Sequence, residues 1–186
     1  MSRSLFALLL ALALPVSAAT QVQFSTSQGE FVVELNEEKA PVTSQNFLRY
    51  VEDGSYVGTV FHRVIPGFMA QGGGFDKELA MRPTYAPIQN ESGNGLSNDR
   101  ATIAMARTQA PDSATRQFYI NYSDNRFLNA RGNRPGYAVF GKVVKGFSVI
   151  EKMAEIPTHT VRSKGMKDVP QQPIVITAVK ILNKWT

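Results

Sequence analysis

The sequence predicts a mainly β fold, a closed barrel capped by two helices. Three observations carry this reading. From Gln21 onward, short runs with apolar side chains at every second position are separated by Gly, Pro, Asn and Asp, as half-buried strands are. Only two segments carry helix signals. So many short strands with so few helices would leave sheet edges free, and closure into a barrel buries those edges while the helices cover the open ends.

The elements follow in order. Met1-Ser2-Arg3-Ser4 carries one positive charge, residues 5–16 are apolar, and Ser17-Ala18-Ala19 supplies small residues ahead of polar Thr20. Residues 1–19 therefore read as a secretory signal peptide. The apolar run is well short of the roughly 20 residues that span a bilayer, so no membrane association is expected once it is removed. Val22 and Phe24, then Phe31, Val33 and Leu35, alternate with polar neighbours across Thr26-Ser27-Gln28-Gly29, a hairpin whose glycine can take a positive φ. Pro41 suits a first helical turn and Gly54 a C-terminal cap, with Phe47, Leu48 and Val51 on one face between them. Further strands are expected at Thr59–Ile65 and at 68–71, 101–106, 117–121, 138–144 and 174–182, and a second helix at 147–155. Residues 77–100 lack periodicity and hold Pro83, Pro87, Gly93 and Gly95, which predicts a long loop.

One domain is expected over residues 20–186, because a chain of 186 residues, 43% hydrophobic and 19% charged, can close one sizeable core. The absence of cysteine excludes disulfides and a lipid-modified cysteine. His62 and His159 are the two histidines, too few for a His/Cys metal site, and no cofactor is expected. The net charge of +5 comes from scattered Lys and Arg, locally dense at Arg162-Ser163-Lys164-Gly165-Met166-Lys167. That pattern reads as a solvated basic surface and not as a nucleic-acid interface. With no heptad pattern and no long apolar stripe, a monomer is expected.

Chemistry concentrates in Phe61-His62-Arg63-Val64-Ile65-Pro66-Gly67-Phe68-Met69-Ala70-Gln71-Gly72-Gly73-Gly74. In a regular strand Phe61, Arg63 and Ile65 share a side, placing an arginine in an apolar row. Spacing alone also accommodates Arg63 as a charge that keeps an edge strand soluble. The three glycines, with no Lys-Ser or Lys-Thr after them, read as a tight bend and not as a phosphate cradle. Ala104-Met105-Ala106-Arg107-Thr108 leads to Gln117-Phe118-Tyr119, where Gln117 and Tyr119 share a face opposite Phe118. Phe127-Leu128 and Tyr137-Ala138-Val139-Phe140 add aromatic and apolar groups.

Together these segments resemble the cyclophilin family of peptidyl-prolyl cis-trans isomerases. The run from 61 to 73 matches the family signature nearly residue for residue, and the likeness extends over 21–182. It is similar in particular to the periplasmic cyclophilins of Gram-negative bacteria, through Met105-Ala106-Arg107-Thr108, the run 136–146 and Pro157-Thr158-His159. The resemblance implies an eight-stranded antiparallel barrel capped by two helices, with the active groove on its outer surface. The implied substrates are X-Pro bonds of unfolded or partly folded exported polypeptides, isomerised in the periplasm as an aid to folding. It also implies residue roles: Arg63 catalytic; Phe68, Met69, Tyr119 and Leu128 a proline pocket; Gln71 and Gln117 polar groups beside it; Ala106 and Arg107 at the peptide backbone. His62, Phe127 and Tyr137 complete the implied substrate-binding set. Tyr119 stands where many members have Phe, Phe127 where several eukaryotic members have Trp, Tyr137 where those have His, and Arg107 where Asn is common. Without an indole donor at 127, weak binding of cyclosporin-type inhibitors is implied.

Two other readings have definite discriminators. A nucleophilic hydrolase would need a serine or threonine beside one of the two histidines, and the chain has no Gly-x-Ser-x-Gly elbow. A non-catalytic holdase could use the same groove, and turnover of a short Pro peptide separates it from an isomerase.

Overall fold

The computed structural model describes residues 19–184. The segment read as a signal peptide lies outside the described residues, except for Ala19. Strands β1 (Gln21–Thr26) and β2 (Gly29–Leu35) form the expected hairpin, followed by helix α1 (Pro41–Glu52), β3 (Thr59–Ile65) and β4 (Met69–Asp76). A loop leads to β5 (Thr102–Met105) and β6 (Phe118–Asn121), then β7 (Val139–Lys145) and helix α2 (Phe147–Met153). Strands β8 (Thr158–Val161), β9 (Met166–Pro170) and β10 (Ile176–Asn183) complete the chain.

Eight strands form one antiparallel sheet in the order β10-β1-β2-β7-β5-β6-β4-β3. Its two edge strands approach each other, but the closure is partial. Val60 and Val175 make an isolated bridge, and the Gly58 and Phe61 amides donate to the Ile176 and Ile174 carbonyls at 2.8 and 3.0 Å. A continuous ladder does not form there, so the expectation of a fully closed barrel is corrected to a curled sheet pinned at its seam. The strands β8 and β9 pair separately, and β9 lies against β3. Sequence reading missed this second sheet because Thr158–Val161 has a weak apolar period and the following segment is basic.

The curled sheet wraps around an aromatic core. Phe24 and Phe31 stack with centroids 5.0 Å apart, Phe47 meets Phe118 edge-on at 5.8 Å and Phe140 at 5.1 Å, and Phe61 meets Phe118 edge-on at 5.9 Å. Such contacts add about 0.5–1.5 kcal/mol each beyond the area they bury. Helix α1 contributes Phe47, Tyr50 and Val51 to this core, and α2 contributes Ile150 and Met153.

One cation sits inside. Arg116 is 1% exposed, and its guanidinium donates to the carbonyls of Gly73, Pro83 and Ser55 at 2.7, 2.6 and 2.7 Å. The rings of Tyr50 and Tyr56 flank it at 4.9 and 5.6 Å. Buried charge is tolerated only when its donors are satisfied, and these three bonds tie the long loop to β4 and to the end of α1.

The three glycines correct a further expectation: they remain in β4 and do not form a tight bend. A Cβ on Gly72 would press on the Phe61 ring at 3.0 Å, and one on Gly74 would collide with the Gln117 side chain. Gly73 adopts φ +84°, a left-handed conformation that favours glycine.

Candidate active site

A break in strand parity creates the site. Between Phe61 and Arg63, β3 advances two residues while its partner advances one, since Phe61 pairs with Gly72 and Arg63 with Gln71. This bulge overturns the expectation that Phe61, Arg63 and Ile65 share a side: Phe61 enters the core, whereas Arg63 and Ile65 turn to the outer face. Strand β6 keeps regular alternation, so Phe118 points inward and Tyr119 outward.

On that outer face Met69, Ala104, Tyr119 and Val139 form a small apolar cluster, with Ile65, Phe68, Ala106, Leu128 and Tyr137 packed around it. A hollow of about 150 Å³ opens here, lined by Arg63, Phe68, Met69, Gln71, Ala106, Arg107, Tyr119, Leu128 and Tyr137. Its size suits a five-membered ring and little more. A larger hollow of about 500 Å³ lies elsewhere, with Glu34, Glu37, Glu38 and Asp99 in its wall. Those carboxylates make it a poor receptacle for an apolar ring.

Of the residues picked out in the sequence, nine line the smaller hollow. Gln117 stands beside it, accepting a bond from the Gln71 side-chain amide at 2.9 Å. Phe127 lies on the rim, 54% exposed and stacked on Phe68 at 5.8 Å. His62 is not brought to the hollow: it is 5% exposed, edge-on to Phe75 at 4.6 Å. Burial, reinforced by the charge of Arg63, lowers its pKa from the usual 6.5 to about 4, so its imidazole is neutral at pH 7. Among the described residues no group of His, Cys, Asp and Glu could hold a metal.

The two arginines at the hollow differ in availability. Arg107 is fully engaged: Nε donates to the Gly136 carbonyl and Nη2 to that of Pro135, both at 2.9 Å, Nη1 donates to the Thr108 carbonyl at 2.9 Å, and the guanidinium lies 4.5 Å over the Tyr137 ring. The Arg63 side chain makes no hydrogen bond to the protein among the described residues. Its one ion-pair partner among the described residues is Asp168 of β9, with Nε and Oδ2 3.6 Å apart. Its side chain is 41% exposed. The site therefore joins an apolar pocket to a permanently charged donor whose terminal nitrogens face no protein acceptor. Asp168 and Asn98, which holds the Tyr119 hydroxyl, had no signal in the sequence, because each is an isolated polar residue outside any motif.

Comparison with known proteins agrees with this geometry. The family described as cyclophilin type peptidyl-prolyl cis-trans isomerase matches residues 21–181. A peptidyl-prolyl cis-trans isomerase of Acinetobacter baylyi is 53% identical over 165 residues, covering 88% of this chain and 86% of that protein. The peptidyl-prolyl cis-trans isomerase A of Dickeya dadantii is 49% identical over 172 residues, covering 92% and 90%. Among solved structures, a Cryptosporidium parvum cyclophilin crystallised in the presence of the dipeptide Ala-Pro superposes with a TM-score of 0.72 at 26% identity, over 88% of this chain and 99% of that one. A family match across the whole described domain, with close relatives of the same activity, makes the chain a member of the cyclophilins, a peptidyl-prolyl cis-trans isomerase.

Proposed function

We propose that Arg63 drives the isomerisation from the rim of the apolar hollow, acting on X-Pro bonds of exported polypeptides. Rotation about the bond breaks amide resonance against a barrier of about 18–20 kcal/mol, so uncatalysed exchange takes tens to hundreds of seconds. No covalent bond forms or breaks. In the twisted state the prolyl nitrogen regains a lone pair, and a fixed cationic donor favours that state over either planar form. The observation that carries this assignment is the guanidinium of Arg63, its terminal nitrogens without a protein acceptor among the described residues, beside a hollow whose other arginine is bonded to backbone carbonyls.

Phe68, Met69, Tyr119 and Leu128 hold the proline ring. Gln71 and Gln117 hold the preceding carbonyl, and Ala106 and Arg107 border the peptide backbone. The use of the dipeptide Ala-Pro with the Cryptosporidium parvum cyclophilin supports Pro-containing peptides as the ligand class. An acceleration of about 10⁴-fold requires about 5.5 kcal/mol, whereas one charge-assisted hydrogen bond supplies about 1.5–3 kcal/mol. The remainder comes from gripping the ring while the carbonyl is held out of plane.

The signal-like segment 1–19 supports action in the periplasm on unfolded or partly folded clients, and the chain works as a monomer. No helix among the described residues is long and apolar enough to cross a membrane. Exchange NMR on a short X-Pro peptide, with the protein and its Arg63→Ala variant side by side, tests the catalytic assignment. Turnover lost in the variant with peptide binding largely kept supports it, and equal losses in both sink it. Cell fractionation of the expressed full chain tests export: a form shortened by about 19 residues in the periplasm is expected. An intact cytoplasmic form overturns it.

A further inference from the structure

We propose that Asp168, on the separate β8–β9 hairpin, is a positioning residue for Arg63. This rests on the reading of Arg63 as the catalytic group. The hairpin packs against β3, the strand that carries Arg63, yet belongs to a different sheet. Between the pairs His159↔Val169 and Val161↔Met166, β9 advances three residues while β8 advances two, so β9 holds one extra residue in a bulge at 167–168. Bulges re-aim side chains, and this one turns a carboxylate toward the arginine.

The backbone at Asp168 has φ +58°, the left-handed region that glycine adopts freely and that other residues enter at a cost. Among the described residues, Leu79 and Ala101 are the other non-glycine positions there. Glycine would adopt this backbone without that cost. The chain instead keeps a carboxylate at this strained position, and Asp168 has no protein partner among the described residues other than Arg63. Strain at a position whose side chain meets a functional group is where a positional role is expected.

The geometry of the pair fits that role better than a stabilising one. With side chains 41% and 39% exposed and a 3.6 Å separation, the pair contributes little to folding. It engages Nε, the inner nitrogen of the guanidinium, and leaves the two terminal nitrogens for the groove. Arginine has a long flexible side chain, so a contact on Nε narrows the directions in which the terminal donors point. Arg63 also lines the adjoining hollow with Gln117, Lys167 and Asp168, so without the carboxylate its side chain can swing into that space.

The test compares Asp168→Asn and Asp168→Gly in the protein expressed as the full chain, by exchange NMR on an uncharged X-Pro peptide. Glycine suits the bulge backbone, so that variant keeps the hairpin while removing the carboxylate. Both variants are expected to lose about three- to tenfold in kcat with KM within about twofold, because orientation acts on the transition state. Raising the salt to about 1 M should lower kcat of the parent toward that of the variants and leave the variants flat, since an exposed pair is screened. Adding Asp168→Asn to Arg63→Ala should change nothing further. Full kcat in Asp168→Gly, or an undiminished effect of Asp168→Asn in the Arg63→Ala background, overturns the proposal. Full activity in Arg63→Ala instead overturns the catalytic assignment itself, so the two failures are distinct.

Discussion

The Tyr119 hydroxyl donates to Asn98 Oδ1 at 2.7 Å, joining a strand of the pocket to the long loop outside it. Asn98 is fully buried and passes the connection on, donating from Nδ2 to Asn129 Oδ1 at 3.0 Å and to the Tyr137 carbonyl at 3.3 Å. This explains how a tyrosine fits where many family members carry phenylalanine: its polar atom is removed from the pocket and satisfied behind it. Burial raises the phenol pKa well above 10, so it remains a donor at any working pH. Tyr119→Phe leaves Asn98 Oδ1 with the Asn121 amide and should cost about 1 kcal/mol of stability with turnover within about twofold. Asn98→Leu strands the hydroxyl and should cost about 2–3 kcal/mol. Urea unfolding of both variants checks the order, and the reverse order contradicts the network.

Arg107 organises the wall formed by residues 135–137. Its replacement by alanine removes donors to four carbonyls, those of Thr108, Gln109, Pro135 and Gly136, and the cation from the Tyr137 ring. Loss of about 1 kcal/mol of binding, a roughly fivefold rise in KM, is expected with kcat little changed. Steady-state analysis of Arg107→Ala separates this from a catalytic role, which would instead lower kcat.

His62 makes stability depend on pH. Its pKa is about 4 in the folded protein because of burial, against 6.5 ordinarily. Between those values the unfolded chain binds a proton that the folded one does not, so stability falls as pH drops from 6.5 toward 4 and this contribution is constant outside that window. The loss amounts to roughly 3 kcal/mol at most. Urea midpoints at pH 7.5 and 4.5 should fall less in His62→Gln than in the parent, and parallel falls would sink the assignment to this residue.

Arg116→Lys should be among the most damaging conservative changes in the chain. One ammonium cannot reach the carbonyls of Gly73, Pro83 and Ser55 together, and the bond to Gly73 is buried while those to Pro83 and Ser55 are partly so. A loss of about 3 kcal/mol, or roughly 6–12 °C in Tm, is expected. Calorimetry checks it, and a shift under about 2 °C would show that the lysine recovers the contacts.

Local periodicity was sufficient to read eight strands, two helices and the long loop, because alternation and helix-end chemistry are properties of neighbouring residues. The strand at 117–121, with Tyr119 opposite Phe118, is of this kind, and so is the hairpin closed by Gly29. The roles of Arg63, Phe68, Met69 and Gln71 were legible only through the family resemblance of the run 61–74 that holds them, since spacing alone also allowed Arg63 as an edge-strand charge. Tertiary structure decided the rest. Whether Phe61 accompanies Arg63 outward depends on a bulge, and a bulge is a mismatch of register between two strands that neither strand encodes alone. The partial seam depends in the same way on where β3 and β10 meet after the sheet has curled. Arg107 and Arg63 look alike in sequence, and only their surroundings make one a brace and leave the other's terminal nitrogens unbonded, through carbonyls 28 and 29 residues away in the first case and a carboxylate of a separate hairpin in the second. Side-chain chemistry is local, but desolvation, register and hydrogen-bond partnership belong to the folded chain.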